Sequence, residues 1–305
     1  MQAWVRRVVL GLANTPFCKG VLTRYGWSLG VGRFVAGETL DEALQVVRQL
    51  EARGLHVILD YLGEDISDLN EAEQAKREIL RAVQGLKAIP CERYLSIKPS
   101  QLGLMLDADF CFQQVCEVLG EAQQSQCFVC LDMEGSRATD LTLQLFRRVR
   151  ERFENVGLVL QAYLYRTPAD LESIQPLRPT LRIVKGAYHE PPDVAHRRYR
   201  PIAEQFLHLV ERQMTSGNTV AVATHDEALI REALAMAHRL GVSRERFEFQ
   251  FLYGMRRDLQ ERLSREGYKV RVYVPYGRDW YGYFSRRLAE RPANILFVLR
   301  NLFKP

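Results

Sequence analysis

Leu181-Arg-Ile-Val-Lys185 is a short run of apolar and β-branched residues that ends in a lysine. Apolar residues at helical spacing follow over residues 202–214, and a second β-branched run, Thr219-Val-Ala-Val-Ala-Thr224, comes next. Such runs predict buried strands, and an amphipathic helix between two of them is typical of a parallel β-α-β unit. This stretch therefore predicts a parallel sheet.

The same alternation extends along most of the chain. The predicted strands cover residues 56–60, 94–98, 127–132, 156–161, 181–185, 219–224, 247–252 and 269–273. Helical spacing occupies residues 71–86, 109–121, 141–153, 202–214 and 228–240 between them. Eight such units predict an α/β fold of the (β/α)8 TIM-barrel type. An open doubly wound sheet is the alternative, but no G-x-G-x-x-G motif follows a strand.

The remaining segments are expected to cover the barrel. Residues 1–53 are interpreted as an N-terminal helical segment packed on it, because Leu44, Val47 and Leu50 share one face of a helix over 41–53. Residues 54–305 are expected to form the barrel together with its C-terminal helices. A helix over 279–290 follows the last strand directly and is expected to lie over the barrel mouth.

Composition excludes several classes of protein. The 305 residues carry a net charge of +5, and their Arg-Arg pairs are scattered, so we expect no nucleic-acid binding. Apolar runs are too short for a membrane span, and the first 20 residues are interpreted as an amphipathic helix rather than a signal peptide. The one C-x-x-C pair, Cys127 and Cys130, lacks a second ligand pair for zinc, so we expect a buried strand, no metal and a reducing cytoplasm.

Polar side chains stand at the carboxyl end of nearly every predicted strand, which is where barrel enzymes carry their chemistry. These residues are Asp60, Lys98, Asp132, Glu134, Gln161, Lys185, Thr224, His225, Asp226 and Tyr273. Each alone could cap a helix or reach solvent. Gathered in one barrel mouth, these polar groups would cost free energy unless they formed hydrogen bonds with one another or with a ligand. The three cations Lys98, Arg182 and Lys185 outnumber the one clear anion pair, Asp132 and Glu134, which indicates an anionic ligand.

The helix predicted over residues 279–290 adds two guanidinium groups. Tyr283, Arg286, Arg287 and Glu290 share one face at helical spacing. A solvated, salt-bridged surface is the alternative reading. Beside a barrel mouth, however, a pair of arginine forks suits a carboxylate.

The order of motifs resembles the proline dehydrogenase family, in its short monofunctional bacterial form. The matching segments span residues 56–294 and are Leu95-Ser-Ile-Lys98-Pro-Ser-Gln-Leu-Gly103, Leu131-Asp132-Met-Glu134, Gln161-Ala-Tyr-Leu, Arg182-Ile-Val-Lys185-Gly186-Ala187-Tyr188, Ala223-Thr224-His225, Phe249-Gln-Phe-Leu252-Tyr-Gly-Met, Arg271-Val-Tyr273-Val-Pro-Tyr-Gly277 and Tyr283-Phe-Ser-Arg286-Arg287. Arg182 to Tyr188, combined with the closing Arg pair, is the most specific of them.

The resemblance implies FAD-dependent oxidation of L-proline to Δ1-pyrroline-5-carboxylate, the first step of proline catabolism to glutamate, with electrons passed to quinone. It assigns Asp132 and Arg182 as the catalytic polar pair. Substrate-binding residues by the same resemblance are Lys98, Leu252, Tyr273, Tyr283, Arg286 and Arg287. Cofactor-binding residues are Met133, Gln161, Arg182, Lys185, Gly186, Ala187, Thr224 and His225.

The resemblance also implies partners and a location. The sequence carries no aldehyde dehydrogenase module, so a separate pyrroline-5-carboxylate dehydrogenase is expected to take the product. The protein is expected in the cytoplasm, with peripheral membrane contact through the apolar tail over 292–303 as an open alternative. Two other functions also stay open: a Schiff-base lyase using Lys185 or Lys98, and a non-catalytic amino-acid-binding protein.

Overall fold

Eight parallel strands close into one barrel in sequence order. The structure is a computed structural model that describes residues 26–28, 30–63 and 66–290, without the side chains of 288–290. The strands are β1 (His56–Tyr61), β2 (Tyr94–Ile97), β3 (Phe128–Leu131), β4 (Val156–Gln161), β5 (Thr180–Val184), β6 (Val220–Ala223), β7 (Phe247–Leu252) and β8 (Val270–Tyr276). The predicted (β/α)8 barrel is confirmed.

A helix follows every strand, and one more precedes β1. In the described part of the chain the helices are α1 (Leu40–Glu51), α2 (Leu69–Lys87), α3 (Ala108–Gln124), α4 (Thr139–Arg150), α5 (Thr167–Ile174), α6 (Tyr199–Thr215), α7 (Glu227–Arg239), α8 (Arg257–Arg265) and α9 (Trp280–Glu290). Among these residues no helix is both long and apolar enough to cross a membrane.

Strand β8 runs three residues past its predicted end at residue 273. Pro275 and Tyr276 stay in register with β1, opposite Asp60 and Tyr61. The Pro275 carbonyl accepts a hydrogen bond from the Ala36 N–H, and the Tyr276 carbonyl accepts one from Leu62. These two hydrogen bonds lie beyond residue 273 and hold the extra residues in the strand. Pro275 can take part because a proline keeps its carbonyl acceptor although it has no N–H to donate.

The strand register decides which side chains face the barrel interior. Asp60 pairs with Ser96, and Ser96 pairs with Cys130, so all three point to the same side of the sheet. Lys98 and Asp132 lie two residues further along their chains and share that face. The closed ladder therefore brings these polar groups to one mouth, at the carboxyl ends of the strands.

The segment that precedes the barrel packs in two places. Leu44, Val47 and Leu50 of α1 join the main core, as the helical spacing predicts. Ahead of α1, Val31, Phe34 and Val35 pack with Trp280, Tyr283 and Phe284 of α9 and with Leu62 and Met255, a group called here the N-terminal cluster. Residues 1–25 of the predicted N-terminal segment lie outside the described residues.

The amino end of the barrel holds a buried ion pair. Arg271 Nε lies 2.9 Å from Glu248 Oε1, and both side chains are almost fully buried. The Arg271 guanidinium also donates to the Val57 carbonyl and lies 4.7 Å from the Tyr94 ring centre. Burial raises the pKa of Glu248, but the charge of Arg271 and the hydrogen bonds outweigh it, so the pKa is lowered overall. The opposite charges of Arg271 and Glu248 therefore neutralise each other inside the barrel.

Gly254 provides a test of how the N-terminal cluster meets the barrel. Its φ is +76°, and an added Cβ would lie 1.8 Å from the Arg33 carbonyl oxygen. We expect Gly254→Ala to lower the free energy of unfolding by about 2–4 kcal/mol, from strain and lost packing. Chemical denaturation measures this change.

Gly241→Ala is the matched control, because Gly241 has φ +64° with nothing within 4 Å of an added Cβ. It should cost only the left-handed backbone penalty of about 1 kcal/mol. Equal losses in the two variants would show that the contact at Arg33 carries no weight.

Candidate active site

Asp132 is the centre of a hydrogen-bond network at the carboxyl mouth of the barrel. Its Oδ1 accepts from Ser96 Oγ at 2.6 Å and from Arg182 Nη1 at 2.8 Å. Its Oδ2 accepts from Tyr273 Oη at 2.7 Å. The three donors come from β2, β5 and β8, so barrel closure is what assembles them.

Lys98 lies beside this network and is held by a second carboxylate. Its Nζ lies 2.7 and 2.9 Å from the two oxygens of Asp60, which is completely buried. The same nitrogen lies 3.4 Å from Tyr273 Oη and 3.7 Å from Asp132 Oδ2. The charge of Lys98, which is one of the predicted substrate-binding residues, is therefore balanced by Asp60.

Arg182 is 5% exposed and fills the space between two aromatic rings. Its guanidinium carbon lies 5.3 Å from the ring centre of Tyr273 and 5.9 Å from that of Tyr94. Among the described residues, its Nε and Nη2 have no hydrogen-bond partner. A buried donor without a hydrogen-bond partner costs free energy, so these two nitrogens indicate a place for a ligand.

Burial and the negative charges of Asp132 and Asp60 raise the pKa of Tyr273 well above its usual value. The phenol is therefore protonated at neutral pH. It acts as a donor to Asp132 and is not available as a base.

The predicted cofactor residues occupy the adjoining part of the mouth, on β4 and the loop after β3. Gln161 Nε2 donates to the Glu134 carbonyl at 2.8 Å, while the Glu134 carboxylate accepts from the backbone N–H and the hydroxyl of Ser100. Met133 directly precedes Glu134 in the sequence. Its side chain is buried and packs in the main core. Glu134 is thus tied to the loop after β2.

A third group lies at the ends of β5, β6 and β7. Lys185 Nζ lies 3.5 Å from Asp226 Oδ2, which also accepts from Tyr199 Oη at 2.8 Å. His225 Nε2 accepts from the Leu252 N–H at 3.0 Å, which leaves Nδ1 as the protonated nitrogen of a neutral ring. Asp226 also caps α7, so the capping alternative holds for this residue.

Gly186 is required by a close approach within the loop after β5. Its φ is +112°, and an added Cβ would lie 2.1 Å from the Tyr163 ring. Ala187 follows it, and Thr224 is buried one residue after β6, where its hydroxyl accepts from the Asp226 N–H. Small side chains therefore line this part of the mouth, including Ala223 of β6.

The arginine pair lies on α9, and its environment differs from a solvated surface. Arg287 is 6% exposed with its guanidinium 5.1 Å from the Tyr283 ring centre, and Arg286 lies 5.7 Å from the Tyr188 ring centre. Tyr283 belongs to the N-terminal cluster. Trp280, at the start of α9, donates to Glu38, so the segment before α1 holds this helix in place.

Sequence reasoning missed two contributions. It marked Asp60 as a strand end but assigned it no role, and it did not single out Ser96. The available signal was alternation: Ser96 lies two residues before Lys98 on the same face of β2. Its hydroxyl gains meaning only from Asp132 and Arg182, which are distant in the chain.

The C-x-x-C pair is buried at β3, as predicted. Burial raises the pKa of Cys127 to about 12 and that of Cys130 to about 11. Within the described ranges, no group of three or more His, Cys, Asp or Glu side chains could hold a metal ion. Both thiols pack in the main core.

Ser96 offers a test of the network that needs no ligand. Replacement by Ala removes a donor to Asp132 and an acceptor for Arg182 in a buried site, so we expect Ser96→Ala to lower the free energy of unfolding by about 1–3 kcal/mol. Ser264→Ala is the control, since that hydroxyl donates to the Gly54 carbonyl at the surface, and it should change stability by under about 0.5 kcal/mol. Denaturant titration of both variants decides; a neutral Ser96→Ala would contradict the network's energetic importance.

Two solved structures with the same fold belong to larger proteins. A crystal structure of proline utilization A from Bdellovibrio bacteriovorus, inactivated by N-propargylglycine, matches 89% of this chain with a TM-score of 0.81 and 22% identity. A Bradyrhizobium japonicum proline utilization A structure matches 88% with a TM-score of 0.74. This chain spans about a third of either protein, with 33% and 32% of their lengths covered. At this identity the likeness supports the barrel fold alone.

Sequence comparison is more specific. The chain is 41% identical over 302 residues to proline dehydrogenase 1 of Bacillus subtilis subsp. natto, covering 98% of this chain and 99% of that protein. It is 40% identical over 304 residues to the proline dehydrogenase of Deinococcus radiodurans, covering 98% of each. The family model described as proline dehydrogenase matches residues 43–300. The chain therefore belongs to the proline dehydrogenase family.

Proposed function

We propose that this protein oxidises L-proline to Δ1-pyrroline-5-carboxylate with FAD, as the first step of proline catabolism to glutamate. The observation that carries the proposal is the buried Asp132-Arg182 pair at the mouth of a barrel whose sequence belongs to this family. Two Arg182 nitrogens there lack protein hydrogen-bond partners among the described residues. A ligand with acceptor atoms fits that position.

The residues at the mouth fit a flavin. Arg182 supplies buried donors, Gln161 an amide, and Lys185 a cation, while His225 keeps a neutral, oriented ring. We assign the cofactor contacts to these residues and to Met133, Gly186, Ala187 and Thr224. Bound FAD supplies the two-electron acceptor; the protein supplies orientation, charge placement and exclusion of water.

The substrate fits between the central network and α9. We assign Arg286 and Arg287 to the proline carboxylate, because planar guanidinium forks bind carboxylates bidentately. Tyr273, Tyr283 and Leu252 would wall the ring, with Lys98 beside it. The burial of Arg287 supports this arrangement, since a guanidinium on a solvated helix face would be exposed.

The acceptor of the electrons and the next enzyme are also proposals. We assign quinone as the acceptor of electrons from reduced flavin. The bifunctional protein PutA of Escherichia coli is 26% identical, and this chain covers 24% of it. A separate pyrroline-5-carboxylate dehydrogenase would then act on the product. We place the protein in the cytoplasm. Peripheral membrane contact through the tail over 292–303 stays an open alternative, and that tail lies outside the described residues.

The Schiff-base alternative is disfavoured by the ion pairs. A lysine must be neutral to attack a carbonyl. Lys98 is bound by both oxygens of Asp60, and Lys185 lies next to Asp226. Both carboxylates stabilise the charged amine, so neither lysine is prepared for covalent chemistry.

Anaerobic spectroscopy tests the proposed function. We expect the purified protein to be yellow with non-covalent FAD, and the flavin absorbance to bleach on addition of L-proline. Borohydride with substrate should trap no covalent adduct. A colourless protein that cannot be reconstituted with FAD would overturn the proposal, and ligand binding without bleaching would indicate a non-catalytic binding protein.

Arg287→Met tests the carboxylate clamp. Because a charge-assisted hydrogen bond contributes about 1.5–3 kcal/mol, we expect KM for proline to rise at least about ten-fold with little change in FAD content. Arg265→Met, at an exposed position on α8, is the control and should leave KM unchanged. Unaltered KM in both Arg286→Met and Arg287→Met would show that the pair does not bind substrate.

A further inference from the structure

We propose that Glu190 is a positioning residue that joins the loop after β5 to the loop after β3, and that this contact slows the release of bound flavin. Its partner is Ser136, and the two side chains are called here the Glu190-Ser136 contact. The inference rests on the proposed function, because it assigns a new residue to retention of the proposed cofactor. Neither residue was predicted from the sequence as part of the site.

Both oxygens of the Glu190 carboxylate accept hydrogen bonds from Ser136. The backbone N–H of Ser136 donates to Oε1 at 2.7 Å, and its hydroxyl donates to Oε2. Hydrogen bonds to an ionised carboxylate are roughly twice as strong as neutral ones. The two residues are 54 positions apart in the chain, so only the closed barrel brings them together.

The contact gives α4 the cap that its own sequence lacks. Ser136 begins a 3-10 turn that leads directly into α4. Among the described residues, neither the turn nor the helix has a side-chain cap from the residue before it. A carboxylate at such a start satisfies free N–H groups and is favoured by the helix dipole. Glu190 supplies this carboxylate from a different loop.

The loop after β5 is joined to the neighbouring loop after β4 at both of its ends. At the start, Gly186 approaches Tyr163 so closely that an added Cβ would lie 2.1 Å from the ring. At the end, the His196 N–H donates to the Tyr163 carbonyl at 2.7 Å. Glu190 lies between these two points and reaches one strand further, to the loop after β3.

The Glu190-Ser136 contact therefore passes over the end of β4. Strand β4 lies between β3 and β5 in the closed barrel. Gln161, the last residue of β4, is 2% exposed, which agrees with such cover. Residues that we assign to the cofactor stand on all three elements: Met133 after β3, Gln161 on β4 and Gly186 after β5. Joining the two outer loops fixes these residues relative to one another.

The contact is suited to retain a ligand rather than to act on a substrate. A flavin held without a covalent bond leaves when the segments around it open, and local opening is resisted by the contacts between those segments. Within the described part of the chain, the hydrogen bonds of Glu190 go to Ser136 and, through its carbonyl, to Arg197. Its loss should therefore speed flavin release and leave the oxidation step unchanged.

Flavin release tests this role. Each variant would be loaded with FAD, freed of excess FAD and mixed with a second flavin-binding apoprotein as a trap, and release would be followed by flavin fluorescence. The variants are Glu190→Ala, Glu190→Gln, Ser136→Ala and the double variant Glu190→Ala/Ser136→Ala. Glu172→Ala is the matched control, because that carboxylate also accepts two hydrogen bonds from one residue of another element, Arg212, but at the exposed surface.

We expect Glu190→Ala to release FAD at least about ten-fold faster than the wild type, since charge-assisted hydrogen bonds are lost. Ser136→Ala removes the hydroxyl bond alone and should speed release about three-fold. The double variant should match Glu190→Ala within about two-fold, because the two side chains act as a unit. At saturating FAD, kcat should change less than about two-fold in every variant. Glu172→Ala should match the wild type.

Hydrogen exchange provides a readout that needs no flavin. In the apoprotein, the Ser136 amide should exchange at least about ten-fold faster in Glu190→Ala than in the wild type, because its acceptor is gone. Faster exchange at Ser136 with wild-type release of FAD would overturn the inference, since Glu190 would then cap α4 and do nothing for the cofactor.

Two further outcomes are distinguishable. If Glu190→Ala retains no flavin after loading, Glu190→Gln decides, because its neutral amide weakens the contact without removing it. Release about three-fold faster than the wild type is expected from this variant, and an unchanged rate would overturn the role of Glu190. A wild-type protein that binds no FAD is a different result, because it removes the proposed function itself.

Discussion

Paired burial of charge is the constraint on which the rest of this structure depends. Asp60 with Lys98 and Asp132 with Arg182 place two carboxylates and two cations in the barrel mouth, almost out of contact with water. A single buried charge would cost several kcal/mol, and removing one partner of a pair leaves such a charge behind. The pairs therefore have to be complete, and Ser96 and Tyr273 contribute the remaining hydrogen bonds.

The two pairs differ in what they can do. Arginine keeps its proton, so Arg182 serves as a fixed charge and a source of buried donors. Lys98 Nζ instead donates to both oxygens of Asp60 and to Tyr273, so this pair is satisfied by the protein itself. Tyr273 lies between them, 2.7 Å from Asp132 and 3.4 Å from Lys98, and its raised pKa keeps it a donor. The same barrel mouth thus combines a fixed electrostatic frame with two Arg182 donors that have no partner among the described residues.

The site also depends on residues that precede the barrel. Val31, Phe34 and Val35 pack against α9, and Glu38 accepts a hydrogen bond from Trp280 at the start of that helix. Arg286 and Arg287 extend from α9. Stability of the N-terminal cluster and geometry of the proposed carboxylate clamp are therefore linked, although the residues lie more than 200 positions apart in the chain.

Local pattern was enough to predict the barrel and the edge at which its polar groups gather. The β-branched runs around Arg182 and Thr224 have the period of strands, the segments between them have the period of helices, and both periods are properties of neighbouring residues. What the sequence alone could not determine is which polar group meets which. Lys98 pairs with Asp60, and Ser96 hydrogen-bonds with both Asp132 and Arg182. Arg271 pairs with Glu248 inside the barrel. Only closure of the ladder between β1 and β8, together with the register of each strand pair, decides these contacts, because they join residues that are distant in sequence.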